Sequence, residues 1–170
     1  MRILFFISVV LLSVGATANP SVFGLELGST TVKQLTSQYD ASAIGMNKYT
    51  QGPMFEIRAS QIDFEGLKEV TAIFSGDNQL VGVLASFPKS KFDYLYNALG
   101  PKYQKVNEKI PFVGDKSATF RDGQTEITIE APHMGFDMSL NYIHDVLNQA
   151  FTSQSQAEKR EQQKRESSQL

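Results

Sequence analysis

The chain has 170 residues, with 16 basic and 18 acidic side chains and a formal net charge of −2. It contains no cysteine, which excludes disulfides, thiolate metal sites and attachment through a lipoprotein cysteine. The balanced charge offers no basic stripe for phosphate groups, so we expect neither nucleic acid nor an anionic membrane surface as a partner.

The N-terminus has the three-part pattern of a secretory signal peptide. Arg2 precedes an apolar run over residues 3–14, and Ala16-Thr17-Ala18 supplies small residues at the cleavage positions. The apolar run is shorter than the roughly 20 residues that span a bilayer. We therefore predict cleavage of residues 1–18 after Ala18, and a soluble mature chain that is periplasmic or secreted, with no membrane insertion.

Residues 19–151 are predicted to form one α+β domain, and its first half begins with a strand over residues 22–27. Ser29 or Thr30 can then cap a helix that directs Val32 and Leu35 inward. A loop with Gly45, Gly52 and Pro53 follows. Alternation predicts three strands after that loop, around residues 55–59, 70–74 and 80–87.

The second half repeats this order. Pro88 ends the preceding strand, Ser90 is expected to cap a helix over residues 91–99, and Gly100-Pro101 ends that helix. Strands around residues 118–120 and 127–129 are joined by Asp122-Gly123, a hairpin signal, and a third strand covers residues 136–142. An amphipathic closing helix carries the apolar stripe Ile143, Val146, Leu147, Ala150 and Phe151.

The two halves, residues 24–87 and 88–142, are thus predicted as tandem α-β-β-β units. They would form an antiparallel sheet with the helices on one face, plus a C-terminal helix. Residues 152–170 are almost entirely polar, and we expect a solvated helical extension or a disordered tail.

The tandem order, the Gly-Ser-Thr that opens the first helix and the phrase FSGDNQLV at residues 74–81 resemble small exported β-lactamase-inhibitor-protein-like modules. The small lipoprotein of the outer-membrane assembly machinery is similar. The resemblance covers most of residues 24–142 and implies a non-enzymatic, protein-binding role. Those inhibitors use disulfides and the lipoprotein an anchoring cysteine. This chain has neither, so no functional residue is carried over.

His133, in a loop marked by Pro132 and Gly135, is the candidate for a catalytic or metal-binding residue. His133 could share a metal with Asp137 or do acid–base work with Glu130. A metal site of ordinary affinity needs three or four ligands, and no third ligand stands at a suitable spacing. We therefore predict no catalytic residue, no metal and no cofactor.

Aromatic residues are abundant, with 12 Phe and 6 Tyr. Most Phe residues occupy positions that the strand pattern predicts as core. Four tyrosines, Tyr39, Tyr49, Tyr94 and Tyr103, are less clearly inward, and with His133 they are the candidate binding residues, since tyrosine is enriched at interfaces. The alternative is that these tyrosines also fill the core.

The sequence favours an exported, non-catalytic module that binds another exported or envelope protein, as an inhibitor or an assembly or accessory factor. One alternative is a carrier of a small apolar ligand, held in a pocket between sheet and helices. A second alternative is a hydrolytic enzyme that uses His133. The sequence leaves the oligomeric state open.

Overall fold

A computed structural model describes residues 19–169 of the chain, so the predicted signal peptide lies outside the described residues. The strands are β1 (Ser21–Val22), β2 (Leu25–Glu26), β3 (Ala41–Met46), β4 (Gln51–Ile57), β5 (Glu69–Ser75), β6 (Leu80–Pro88), β7 (Gln104–Lys109), β8 (Lys116–Asp122), β9 (Thr125–Ala131) and β10 (Asp137–His144). The helices are α1 (Val32–Gln38), α2 (Phe92–Leu99) and α3 (Asp145–Ser167).

The main sheet is antiparallel and follows the order β3-β4-β5-β6-β10-β9-β8-β7. Each half of the chain contributes a four-stranded meander, and the last strands of the two meanders pair, with Val83 opposite Tyr142. The two units therefore meet at the centre of one continuous sheet. The predicted α+β class, the antiparallel sheet and the C-terminal helix are confirmed.

One face of this sheet carries both of the short helices. Leu35 of α1 and Leu95 of α2 belong to the same buried cluster as Val83 and Leu140 of the central strands. Alternation along a strand sends neighbouring residues to opposite faces, and Ile73 accordingly packs with Leu147 of α3 in a second cluster. The prediction that the helices of the two units share a face is therefore confirmed, and α3 covers part of the other face.

The structure adds one strand to each predicted unit, β3 in the first and β7 in the second. Both are edge strands of the main sheet. All residues of β7 are exposed, and in β3 only Ala41 is half-buried. A strand with no buried face has no alternating pattern, which is why the sequence predicted no strand at either position.

Three further predictions of local structure are wrong. Instead of one strand over residues 22–27, residues 21–26 form a hairpin. Phe23 and Gly24 take φ values of 52° and 72°, the pair of positive angles typical of a tight type I′ turn. Thr31, not Ser29 or Thr30, caps α1, in a reciprocal pair with Gln34. A 3-10 turn precedes α2, and no side chain caps this helix, so the predicted Ser90 cap is absent.

The closing helix begins at Asp145, so Ile143 belongs to β10 and not to the helix. Nδ1 of the buried His144 accepts a hydrogen bond from the Val146 amide and caps α3. The Phe151 ring meets Tyr49 edge-on at 5.0 Å but remains 47% exposed, so Phe151 is only partly a core residue. Residues 159–169 continue beyond the body with every side chain exposed.

Candidate functional site

Two neighbouring loops at one end of the sheet form the surface that we call the loop tip, residues 110–115 and 132–136. The first loop joins β7 to β8 and the second joins β9 to β10. Lys116 and Ala131, where β8 begins and β9 ends, are directly paired. The two loops therefore leave the sheet side by side.

The loop tip exposes large apolar side chains. Phe112 is 104% exposed, Phe136 is 93% exposed and Met134 is 92% exposed, with Val113 and Ile110 also in solvent. Single exposed apolar residues are ordinary, but a cluster of them marks an interaction surface. The exposed surface of these side chains does not contribute to the stability of the folded protein.

Hydrogen bonds hold the second loop and connect it to the first. The His133 amide donates to the Asp115 carboxylate at 2.7 Å and so links the two loops. Lys89 clamps the second loop at both ends: its amide donates to the Phe136 carbonyl at 2.8 Å, and its ammonium donates to the Pro132 carbonyl at 2.5 Å. Met134 and Phe136 are thus presented on a braced backbone, which lowers the entropy lost on binding.

Charge around the loop tip is balanced. The basic side chains are Lys68, Lys89, Lys109 and Lys116, and the acidic ones are Asp115, Glu130 and Asp137. Several are already neutralised within the protein, since Lys68 pairs with Asp137 and Lys116 pairs with Asp93. Anionic lipid attracts clusters of unpaired basic residues, and the loop tip has no such excess.

His133 lies in the loop tip, with its side chain exposed. Its contacts run through its backbone, and its imidazole makes no hydrogen bond to any residue between 19 and 169. Within that range there is also no group of three or more side chains that could hold a metal ion. The hydrolytic alternative stays a prediction.

The four candidate tyrosines do not form one surface. Tyr94 and Tyr103 line a pocket between α2 and the sheet, and the Tyr39 hydroxyl donates to the Phe23 carbonyl at the same pocket at 2.6 Å. Tyr49 lies on the opposite face against α3. Two of the five candidate binding residues are brought together in the pocket, one stands beside it, and His133 is in the loop tip.

Sequence reasoning missed the apolar residues of the loop tip. The sequence predicts Phe136 at the start of a strand and assigns no role to Phe112, and in the structure both lie in loops. A usable signal was present, because each loop carries a proline and a glycine around its apolar residues, as in Pro111 and Gly114 of the first loop. Large apolar residues between such turn residues are candidates for exposure.

No family model matches the chain, and neither a curated protein nor a solved structure shows a significant match. Among residues 19–169, every helix is too short or too polar to cross a membrane.

Proposed function

We propose that the protein is an exported, non-catalytic binding module that engages another exported protein through the loop tip. The observation that carries this proposal is the near-complete exposure of Phe112, Met134 and Phe136 on two adjacent loops. The pattern of residues 1–18 supports export. An inhibitor or an assembly factor needs such a surface and no catalytic groups.

The chemistry of the loop tip supports a protein partner with an apolar cleft. The two phenylalanines protrude, so the partner must supply the concave surface. Aromatic side chains that fill a pocket are typical interface hot spots, and removing one costs at least about tenfold in affinity. The balanced charges support a partner surface without a strong field of either sign.

The experiment places a photo-crosslinking phenylalanine analogue at position 112 or 136 in intact cells of the source organism. The matched control carries the analogue at Asn78, an exposed turn residue between β5 and β6. We expect the same discrete adduct from both tip positions and none from position 78. The purified partner should then bind at least about tenfold more weakly to Phe112→Ser.

Two results would overturn the proposal. One is the same adducts from position 78 as from position 112, which would indicate unspecific contact. The other is binding to neutral or anionic phospholipid vesicles that is lost in Phe112→Ser, because the loop tip would then serve a membrane surface.

A second candidate function is that of a carrier for a small ligand. It is supported by the pocket that Tyr94 and Tyr103 line, which lies on a different surface from the loop tip.

A further inference from the structure

A pocket of about 380 Å³ opens on the helix-bearing face of the sheet and shares no residue with the loop tip. Its volume falls within the range of about 300–1,000 Å³ that is typical of small-molecule sites. The lining includes Leu140 and Tyr142 from β10, Leu95 and Ala98 from α2, and Phe23 and Phe64 from the opposite wall.

Two phenols that line the pocket have unused hydrogen-bonding capacity. Tyr142 is only 4% exposed, and the rings of Tyr142 and Tyr103 meet edge-on at 6.1 Å. Tyr142 bonds to the hydroxyl of Tyr103, so the two phenols form a hydrogen-bonded pair at the wall of the pocket. The bond between them leaves one donor hydrogen open.

Buried hydroxyls are normally hydrogen-bonded, and the partner of the Tyr142 hydroxyl is Tyr103. Burial first, and then the neighbouring Tyr103, raises the pKa of Tyr142 above its ordinary value of 10.0. The phenol therefore stays protonated across the physiological range and remains a hydrogen-bond donor. It can offer that hydrogen to an acceptor atom in the pocket.

The aromatic wall opposite α2 is held in position. The Phe23 ring meets Phe64 edge-on at 6.0 Å, and Phe64 in turn meets Tyr94 at 6.2 Å. The Phe23 backbone is fixed by the hydroxyl of Tyr39. Flat aromatic walls suit a flat apolar guest, since ring pairs gain from offset or edge-on contact.

The charged residues of the lining do not select an ion. Lys102 and Asp63 are both exposed and of opposite sign, so their fields at the pocket largely cancel. A neutral guest enters such a pocket without the desolvation cost of a charge.

We propose that this pocket binds a small neutral molecule with a flat apolar body and one carbonyl oxygen, which accepts a hydrogen bond from the Tyr103–Tyr142 phenol pair. This site is independent of the protein-binding loop tip, and either can fail without the other.

The test is an NMR titration of the mature protein with acetophenone and with ethylbenzene, which keeps the ring and replaces the carbonyl by a methylene. We expect both probes to shift the amide signals of the lining residues. Tyr142→Phe removes one hydroxyl and keeps the ring. It should lower the ratio of acetophenone to ethylbenzene affinity by about three- to tenfold, as expected for one hydrogen bond.

Ala98→Phe is the blocking variant. Ala98 lies on α2, half-buried and facing the pocket, so a larger ring can fill the space while the helix is kept, and both probes should lose binding. An unchanged melting temperature verifies that Ala98→Phe is folded. Phe112→Ser is the matched control outside the pocket and should bind both probes as the unmodified protein does.

Absence of binding by both probes up to their solubility limits would overturn the proposal, as would undiminished binding to a folded Ala98→Phe variant. An identical affinity ratio in Tyr142→Phe and the unmodified protein would remove the role assigned to the phenol pair. None of these results bears on the crosslinks from the loop tip.

Discussion

Replacing Phe112 by alanine tests whether the loop tip serves the fold or only a partner. Phe112 is fully exposed, with a relative accessibility of 104%, so its removal should change the free energy of unfolding by no more than about 0.5 kcal/mol. Phe120 on β8 is fully buried and packs at 6.1 Å from the Tyr96 ring. The same substitution at Phe120 should cost about 3–5 kcal/mol.

The two variants differ enough to separate in a thermal melt. In a domain of this size each kcal/mol lowers the melting temperature by about 2–4 °C, so Phe120→Ala should melt about 6–20 °C below the unmodified protein. Phe112→Ala should melt within about 2 °C of it. The chain has no tryptophan, so tyrosine fluorescence and circular dichroism are the signals to follow, with urea unfolding as the second measurement.

A loss of more than about 1 kcal/mol in Phe112→Ala would contradict this prediction, since a surface side chain away from special features does not contribute that much. The loop tip would then pack on the body, and weaker partner binding by a Phe112 variant could reflect unfolding.

The remaining predictions concern α3 and two glycines. Burial lowers the pKa of His144 below its ordinary value of 6.5, so the unfolded chain binds more protons and stability should fall as the pH drops through 6.5 towards the folded-state pKa. His144→Asn keeps a helix cap without this titration, and an unchanged pH slope in its urea unfolding would contradict the assignment. Deleting residues 159–170 should change the free energy of unfolding by less than about 0.5 kcal/mol. Leu147→Ala should lower it by about 2–4 kcal/mol, because Leu147 is only 6% exposed. If thermal melts show similar losses for the two variants, the tail packs on the body. Gly52→Ala would place a Cβ 2.1 Å from a carbonyl oxygen of β5 and should cost more than about 3 kcal/mol, while Gly123→Ala meets nothing within 4 Å and should cost about 1–2 kcal/mol for its positive φ. Equal urea midpoints for the two glycine variants would contradict the close contact at Gly52.

The elements that can be predicted from the sequence alone are those in which apolar side chains alternate with polar ones. Val70, Ala72 and Phe74 of β5 alternate with residues of the other face, and Ile127 and Ile129 do the same in β9. Each strand has a buried face, and burial of apolar side chains is the main stabilising term, so the pattern of residues follows it. The stripe of α2 follows the same logic at helical spacing.

The edge strands, the central pairing and both candidate sites depend on contacts between distant segments and could not be predicted from the sequence. The strands β3 and β7 are held by backbone hydrogen bonds to β4 and β8. Every residue type except proline can make these bonds, so they produce no pattern in the sequence. In sequence, Phe112 and Phe120 are the same residue type in the same half of the chain, yet one is fully exposed and the other fully buried. The pocket likewise depends on Tyr103 and Tyr142 meeting across the fold. Hydrophobicity states what a side chain would gain from burial, and only the packing of distant segments determines which side chains are buried.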